Sequence, residues 1–192
     1  MVSNERYKQI SKYLVGIIGG EPRFEKFLDK KEESSVVIMK ILNRPEEGVC
    51  SYSTIGLYEH PIGLKYKEQK LRVEFLLTLD QKETSAANIL ATSAFHVINS
   101  GHKCYPGVIF HDIVGMYRSD TQMKHIMFTS PFLWDEKLKG FQIDDMVIEW
   151  LLAVPISENE CKYAEEFGSE ALEDLFEQHG IDIFTLERVS IL

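Results

Sequence analysis

The chain has 192 residues and a formal net charge of −9, which argues against nucleic acid as a ligand because phosphate binding depends on clustered Lys and Arg. A composition of 44% hydrophobic and 27% charged residues is typical of a globular protein and excludes a disordered one. Three widely spaced cysteines exclude a disulfide framework, and no apolar run is long enough to span a bilayer.

The first 33 residues are predicted to form a helical extension that packs on the rest of the chain. Its start, MVSNERYKQ, lacks the apolar core of a signal peptide, so we expect a cytoplasmic protein. Apolar residues at helical spacing from Tyr7 to Ile18 predict an amphipathic helix that ends at Gly19-Gly20. The segment after Pro22 is expected to add another turn around Phe24, Phe27 and Leu28.

The middle of the chain is predicted to alternate between strands and one helix. Strands are expected at 34–42, around 49–57 and at 71–79. The third of these has the clearest alternation, with one face formed by Leu71, Val73, Phe75, Leu77 and Leu79. A helix is expected from Thr84 to Ser100, with Gly101 as its terminator.

Further strands are expected around 107–117, 125–133 and 146–154, and Pro155 is expected to end the last of them. Ser157 and Glu160 then form a capping box for an acidic helix, which Gly168-Ser169 separates from a second one. The final ERVSIL is expected to return as a strand. Because no linker or repeat divides residues 1–192, the prediction is a single α+β domain: a mostly antiparallel or mixed sheet flanked by helices.

The sequence contains no convincing catalytic or metal-binding motif. His96, His102, Cys104 and His111 lie close in sequence, but their spacing matches no known zinc motif. Pairing of Cys104 with His111 or His60 would need an electropositive setting, which an acidic chain makes less favourable. We therefore predict no enzyme, no cofactor and no metal, and rank a thiol hydrolase or metalloenzyme last.

The charge is concentrated in residues 157–182, which hold nine acidic residues and one lysine, a net of −8 out of −9. In the second acidic helix, Leu172 and Phe176 belong to the predicted inward stripe. Like charges at i, i+3 or i+4 destabilise an isolated helix slightly, and a merely solvated helix usually includes Lys and Arg. Two interpretations stay open, a surface for a basic partner and a face that keeps the protein soluble.

Four segments resemble the bacterial suppressor-of-fused (SUFU) domain family: YSTIGL (52–57), RVEFLL (72–77), the run from Glu149 to Gln178, and the ending GIDIFTLERVSIL. The resemblance covers residues 34–192, and within the family it is strongest to the YqcF-type antitoxins. It implies an α+β fold and an immunity protein that neutralises an LXG-type toxin, expected to be a nuclease (DNase), by direct binding. It carries no catalytic residue.

The predicted contact residues for a basic nuclease domain are acidic side chains of the two helices together with one aromatic residue. The protein itself is expected to be a monomer or weak dimer. The alternative is a non-catalytic regulatory module of the SUFU type that binds a peptide or protein at a sheet edge and is unrelated to a toxin. The predicted contact residues are Glu165, Glu166, Glu170, Glu173, Asp174, Glu177 and Trp134.

Overall fold

The computed structural model describes residues 2–134 and 137–192, with side chains from residue 5 onward. Within these residues, nine strands form one sheet and four helices cover its faces. The helices are α1 (Val2–Ile18), α2 (Ala86–Ser100), α3 (Glu158–Phe167) and α4 (Ser169–His179). The strands are β1 (Pro22–Leu28), β2 (Ser35–Leu42), β3 (Val49–Ile55), β4 (Lys65–Tyr66), β5 (Gln69–Asp80), β6 (Ile109–Phe110), β7 (Met123–Thr129), β8 (Phe141–Ile143) and β9 (Met146–Ser157).

The sheet is mixed, with the strand order β1-β2-β3-β5-β9-β7-β6. The central pair β5 and β9 runs parallel, and the other neighbours along this path are antiparallel. The short strands β4 and β8 add to β5 and β9. This architecture confirms the predicted single α+β domain with a mixed sheet flanked by helices.

Each face of the sheet is covered by a hydrophobic cluster of its own. On one face, Leu90 of α2 packs with Phe75 and Leu77 of β5, which confirms the alternation predicted for that strand. On the other face, α1, α3 and α4 contribute side chains that pack with β9, including Leu14 and Leu172. The two acidic helices, α3 and α4, are therefore anchored on the same face as the first helix. No helix among the described residues is both long enough and apolar enough to cross a bilayer.

Two segments fold differently from their predictions, one because of strand pairing and the other because of a local backbone feature. Residues 22–28 are not a helical turn but the edge strand β1, which pairs with β2 along its whole length. In the predicted strand 107–117, only Ile109–Phe110 is strand, and residues 111–117 form turns. There Asp112 adopts a left-handed backbone conformation with φ of 55°, which interrupts an extended chain.

The end of β9 and the end of the chain also differ from prediction. Pro155 does not stop β9, which continues to Ser157 while pairing with β7. Pro155 is tolerated because pairing between β9 and β5 ends at Ala153, so the strand has a single strand neighbour there. The terminal ERVSIL (187–192) forms no strand, and its polar backbone atoms are satisfied mainly by side chains.

Glu74 on β5 is a fully buried carboxyl that fixes the connection after β3. Its Oε1 accepts hydrogen bonds from the backbone N–H groups of Gly56 (2.8 Å) and Tyr58 (3.2 Å), and Oε2 accepts one from the Thr54 hydroxyl. Burial raises the pKa of Glu74 from its ordinary 4.5 to about 7, and these hydrogen bonds only partly oppose the change. Between the two pKa values, the Glu74 carboxyl is therefore protonated in the folded protein and ionised in the unfolded chain.

Stability should fall as pH rises through the range in which Glu74 ionises. A pKa of about 7 in the folded state against 4.5 when unfolded means that this contribution is complete below pH 4.5 and is lost as pH rises through 7. The loss is about 3 kcal/mol, at about 1.4 kcal/mol per pKa unit. Urea unfolding of the wild type and of Glu74→Gln between pH 5 and 8 should give a clearly steeper decline for the wild type. Parallel declines would show that Glu74 does not titrate in this range.

Candidate functional site

The two acidic helices α3 and α4 form a hairpin whose start and junction are fixed by local interactions. The Ser157 hydroxyl accepts the Glu160 backbone N–H (3.1 Å), and the Glu160 carboxylate accepts the Ser157 N–H (2.9 Å), so the predicted capping box is confirmed. Gly168 separates the helices with φ of 95°, a value that favours glycine. The sequence pattern alone was sufficient to locate this hairpin.

A buried ion pair holds the C-terminal segment against the hairpin. Arg188 donates two hydrogen bonds of 2.6 Å to the Glu160 carboxylate and a third of 2.9 Å to the Pro155 carbonyl. The side chains of Glu160 and Arg188 are 0% and 6% exposed. Burial by itself raises the pKa of Glu160, but Arg188 and the backbone N–H groups of Ser157 and Ile191 lower it below its ordinary value.

The rest of the C-terminal segment is attached at several further points. The Asp80 N–H donates to the Phe184 carbonyl at the end of β5 (2.7 Å), and the Ser190 N–H donates to the Gln122 side chain (2.9 Å). These bonds lead the chain back across the end of the sheet after α4. As a result, residues 180–183 form one wall of a cavity beside α4.

This cavity has a volume of about 540 Å³ and combines an apolar interior with an acidic rim. α4 contributes its acidic side, and the ends of β7 and β9 contribute the opposite wall. Phe132, in the short turn after β7, is 43% exposed at the opening. The lining residues are Thr129, Phe132, Val154, Glu173, Asp174, Phe176, Glu177, Gly180, Ile181 and Ile183.

The structure separates the six predicted acidic residues into three positions. Glu165, at the end of α3, approaches the imidazole of His111 with an Oε1–Nε2 distance of 3.5 Å. Glu166 and Glu170 are exposed on either side of the junction between the helices. The remaining three line the cavity rim: Glu173, Asp174 and Glu177.

The rim carboxylates are not neutralised within the protein. Among the side chains that the structure describes, no lysine or arginine forms an ion pair with Glu173, Asp174 or Glu177. Partial burial raises the pKa of Glu173, and the nearby carboxylates of Glu170 and Asp174 raise it further. The cavity opening is thus a region of uncompensated negative potential beside apolar surface.

The structure contradicts the reason for predicting Trp134 as an exposed aromatic contact. Trp134 is only 7% exposed and belongs to the hydrophobic cluster under α1, α3 and α4. Phe132, two residues earlier, is the exposed aromatic residue of this turn. The sequence TSPFLW does not show which of the two rings is exposed. That depends on the 3-10 turn Phe132–Trp134, which follows Pro131.

The four residues that lie close in sequence, His96, His102, Cys104 and His111, do not form a metal-ligand group among the described residues. The rings of His96 and His102 lie against each other, with centroids 5.6 Å apart. Cys104 is fully buried, and burial raises the pKa of its thiol far above the usual range. His111 instead faces Cys161 of α3, with a Sγ–Nδ1 distance of 3.7 Å. This pair could not be predicted from the sequence, because 50 residues separate its members.

Comparison with known proteins relates both the chain and its fold to one family. The family model of the suppressor of fused protein (SUFU) matches residues 30–189. A curated relative, "Immunity protein YqcF" of Bacillus subtilis (strain 168), is 42% identical over 185 residues, which cover 96% of each protein. The matched region includes the acidic hairpin, the cavity and the Glu160–Arg188 pair.

Solved structures with low sequence identity share the fold. A SUFU homologue from Neisseria gonorrhoeae FA 1090 superposes with a TM-score of 0.75 at 16% identity, covering 98% of this chain and 97% of that one. A chain of a Sufu–Fu complex gives 0.68 at 13% identity, covering 96% and 91%. Drosophila Suppressor of Fused gives 0.66 at 12% identity, and the match covers 94% of this chain but 50% of that longer one.

Removal of Arg188 should destabilise the protein far more than removal of a surface arginine. Arg188→Ala leaves the Glu160 carboxylate buried without its cation, which costs about 3–5 kcal/mol. Arg6 forms an ion pair of 2.5 Å with Asp144, but the two side chains are 33% and 56% exposed. Arg6→Ala should therefore cost at most about 1 kcal/mol. Urea unfolding at neutral pH measures both changes.

The double variant Arg188→Met, Glu160→Gln separates loss of the pair from loss of packing, because the glutamine oxygen still accepts a hydrogen bond from the backbone N–H of Ser157 or Ile191. Because it removes both charges, it should be more stable than Arg188→Ala alone. Equal costs for Arg188→Ala and Arg6→Ala would contradict the structural role assigned to the buried pair.

Proposed function

Since the chain belongs to the suppressor of fused (SUFU) family, we propose that it is an immunity protein that binds and neutralises a cognate toxin. The relationship to "Immunity protein YqcF" along 96% of both chains supports this function. The feature of this chain that supports it most directly is the cavity beside α4, whose acidic rim has no internal cation among the described side chains. Such a surface is complementary to a cationic protein.

The toxin is proposed to be of the LXG type and to carry a nuclease domain, with a DNase as the preferred case. A nuclease presents basic surface to the phosphates of its substrate. An acidic protein that covers this surface competes with nucleic acid without any chemical step. Neutralisation therefore needs only binding, and the protein is proposed not to be an enzyme.

The proposed binding mode uses the two components of the cavity differently. The carboxylates of Glu173, Asp174 and Glu177 attract the basic partner and accelerate its encounter. The apolar interior and the exposed Phe132 ring then receive the aliphatic stem of a lysine or arginine side chain, whose charged end remains at the rim. Glu165, Glu166 and Glu170 extend the same negative field along the hairpin.

A second function, recognition of an extended peptide at a sheet edge, is supported by the exposed edge strand β1. Phe24 and Leu28 on this strand are 52% and 50% exposed. A peptide could pair with the open edge of β1 and cover these side chains. A regulatory module of this kind would bind peptides selectively and would give no protection against a toxin.

Co-expression with candidate LXG-type toxin domains distinguishes the two functions. The immunity function predicts restored growth and recovery of a stable complex whose affinity falls at higher salt. Restored growth without a complex would count against neutralisation by binding. Selective capture of a peptide, with growth not restored, would favour the regulatory module.

Reversal of two rim charges should slow toxin binding. Glu173→Lys with Glu177→Lys should lower the association rate constant about tenfold at low salt, with a smaller effect on dissociation, because the lost interaction is mainly long-range attraction. The control is Glu46→Lys with Glu47→Lys, which changes the net charge equally at two exposed residues after β2. Surface plasmon resonance at two salt concentrations measures both rates. Equal slowing by the two double variants would refute a localised docking surface.

Removal of the Phe132 ring at the cavity should mainly change the dissociation rate constant. Phe132→Ala should speed dissociation about tenfold, equivalent to about 1.4 kcal/mol, because buried aromatic contacts are frequent energetic centres of interfaces. Phe167→Ala is the matched control, since Phe167 is 58% exposed but does not line the cavity. If the Phe167 variant dissociates faster than the Phe132 variant, the contact lies at the helix junction and not at the cavity.

A further inference from the structure

A cluster of metal-ligating side chains lies where α3 packs against the β6–β7 region. Ligand atoms of His111, His125 and Cys161 all lie within 4.8 Å of one another. These residues come from the turn after β6, from β7 and from α3 respectively. Glu158 and Glu165 flank Cys161 on α3 at helical spacing, so three side chains of one helix face two histidines. The proposed toxin-binding cavity contains none of these five residues.

The hydrogen bonds of the two histidines differ, and they determine which atoms can bind a metal. The Asp112 backbone N–H donates to Nδ1 of His125 (2.9 Å), so the neutral His125 ring carries its proton on Nε2. That Nε2 lies 2.9 Å from the Glu158 carboxylate and donates to it. Both nitrogens of His125 are therefore occupied, one by a backbone donor that no metal can replace.

His111 has the complementary arrangement. Its Nδ1 lies 3.7 Å from the Cys161 sulfur, and its Nε2 lies 3.5 Å from Oε1 of Glu165. With the ring proton on Nε2 and directed at Glu165, the Nδ1 lone pair faces Cys161. Metal-binding histidines commonly direct their second nitrogen at a carboxylate in this way.

We propose that Cys161 Sγ and His111 Nδ1 bind one divalent ion of the zinc class, and that the Glu158 carboxylate, which lies outside the 4.8 Å group, turns toward the ion as its third ligand. His125 and Glu165 are the positioning residues, because His125 holds Glu158 by a hydrogen bond and the Glu165 carboxylate faces His111 at 3.5 Å. A mixed sulfur, nitrogen and oxygen ligand set is characteristic of zinc. Because the side chain of His111 is 59% exposed and that of Glu158 is 59% exposed, solvent can complete a tetrahedral site.

The spacing of two of the three proposed ligands fits this ion. Bond lengths of about 2.3 Å to sulfur and 2.0–2.1 Å to nitrogen give a separation of about 3.5 Å between two ligands of a tetrahedral zinc. The separation of Cys161 Sγ from His111 Nδ1 is 3.7 Å. Glu158 also contacts Lys162 (3.0 Å), an exposed pair that can be exchanged for the metal at small cost.

The surroundings of the thiol are unfavourable to a bare thiolate but favourable to a metal-bound one. Burial raises the pKa of Cys161 to about 11, and the charges of Glu165 and Glu158 contribute to the increase. A divalent cation reverses this balance: the thiol loses its proton to solvent on binding, and the carboxylates become attractive. The bound ion would then connect α3 to the turn after β6 and stabilise the acidic hairpin.

The experiment is a titration of the purified, chelator-treated full-length protein with Zn²⁺ and with Co²⁺. Calorimetry should show one Zn²⁺ bound per chain, and Co²⁺ should produce a thiolate charge-transfer absorption band. Zn²⁺ should also raise the melting temperature of the wild type. Cys161→Ala should lose the absorption band and the thermal shift, whereas Cys50→Ala, a buried cysteine on the opposite face of the sheet, should keep both.

Two further variants test the assignment of Glu158 and His125. Glu158→Gln and His125→Ala should each weaken Zn²⁺ binding by at least about tenfold, and His125→Gln, which retains a donor toward Glu158, should restore most of the affinity. Absence of a thiolate band in the wild type, or an unchanged band in Cys161→Ala, would overturn the site. Wild-type affinity in Glu158→Gln, or no restoration in His125→Gln, would overturn the proposed ligand set. None of these readouts depends on a toxin.

Discussion

The buried ion pair between Glu160 and Arg188 is the interaction on which the candidate site depends. A buried carboxylate is tolerated only when nearly all of its acceptor capacity is used. Here Arg188 supplies two donors and the backbone N–H groups of Ser157 and Ile191 supply two more. Glu160 thus completes the capping box of α3 and also holds the C-terminal segment. Together with the hydrogen bonds of Phe184 and Ser190, it holds the segment that carries the cavity wall at residues 180–183.

The same interaction explains why Glu173, Asp174 and Glu177 have no lysine or arginine partner among the described side chains. Glu160 takes the nearby arginine, and Lys162 is bound to Glu158, 3.0 Å away. The hairpin therefore keeps a concentrated negative charge that contributes repulsion to the isolated protein. A basic partner would offset that repulsion on binding. Stability is provided by the buried side of the hairpin and recognition by its exposed side.

The sequence predicted the parts of the fold that depend on local pattern. β2, β5 and α2 follow from their hydrophobic periodicity, and the α3–α4 hairpin follows from its capping box and Gly168. The errors involve neighbours that a single sequence does not reveal. Residues 22–28 became a strand because β2 offered an edge, although their own pattern allowed a helical turn.

The composition of the site was predictable only in part, for a similar reason. The acidic residues are adjacent in sequence, so their concentration was visible before the structure. The cavity needs residues from β7, β9, α4 and the following segment, and only the tertiary fold brings these together. Trp134 was expected to be the exposed ring and Phe132 a core residue, but the turn that contains both buries Trp134 and exposes Phe132. The buried role of Arg188 likewise requires Glu160, 28 residues earlier.

The most direct test of this account is amide hydrogen exchange of the chain alone and in complex with its toxin domain, read by mass spectrometry. The account predicts that residues 169–183, which form α4 and the adjoining cavity wall, become the most strongly protected surface segment. Protection confined to the edge strand β1, with residues 169–183 unchanged, would contradict it.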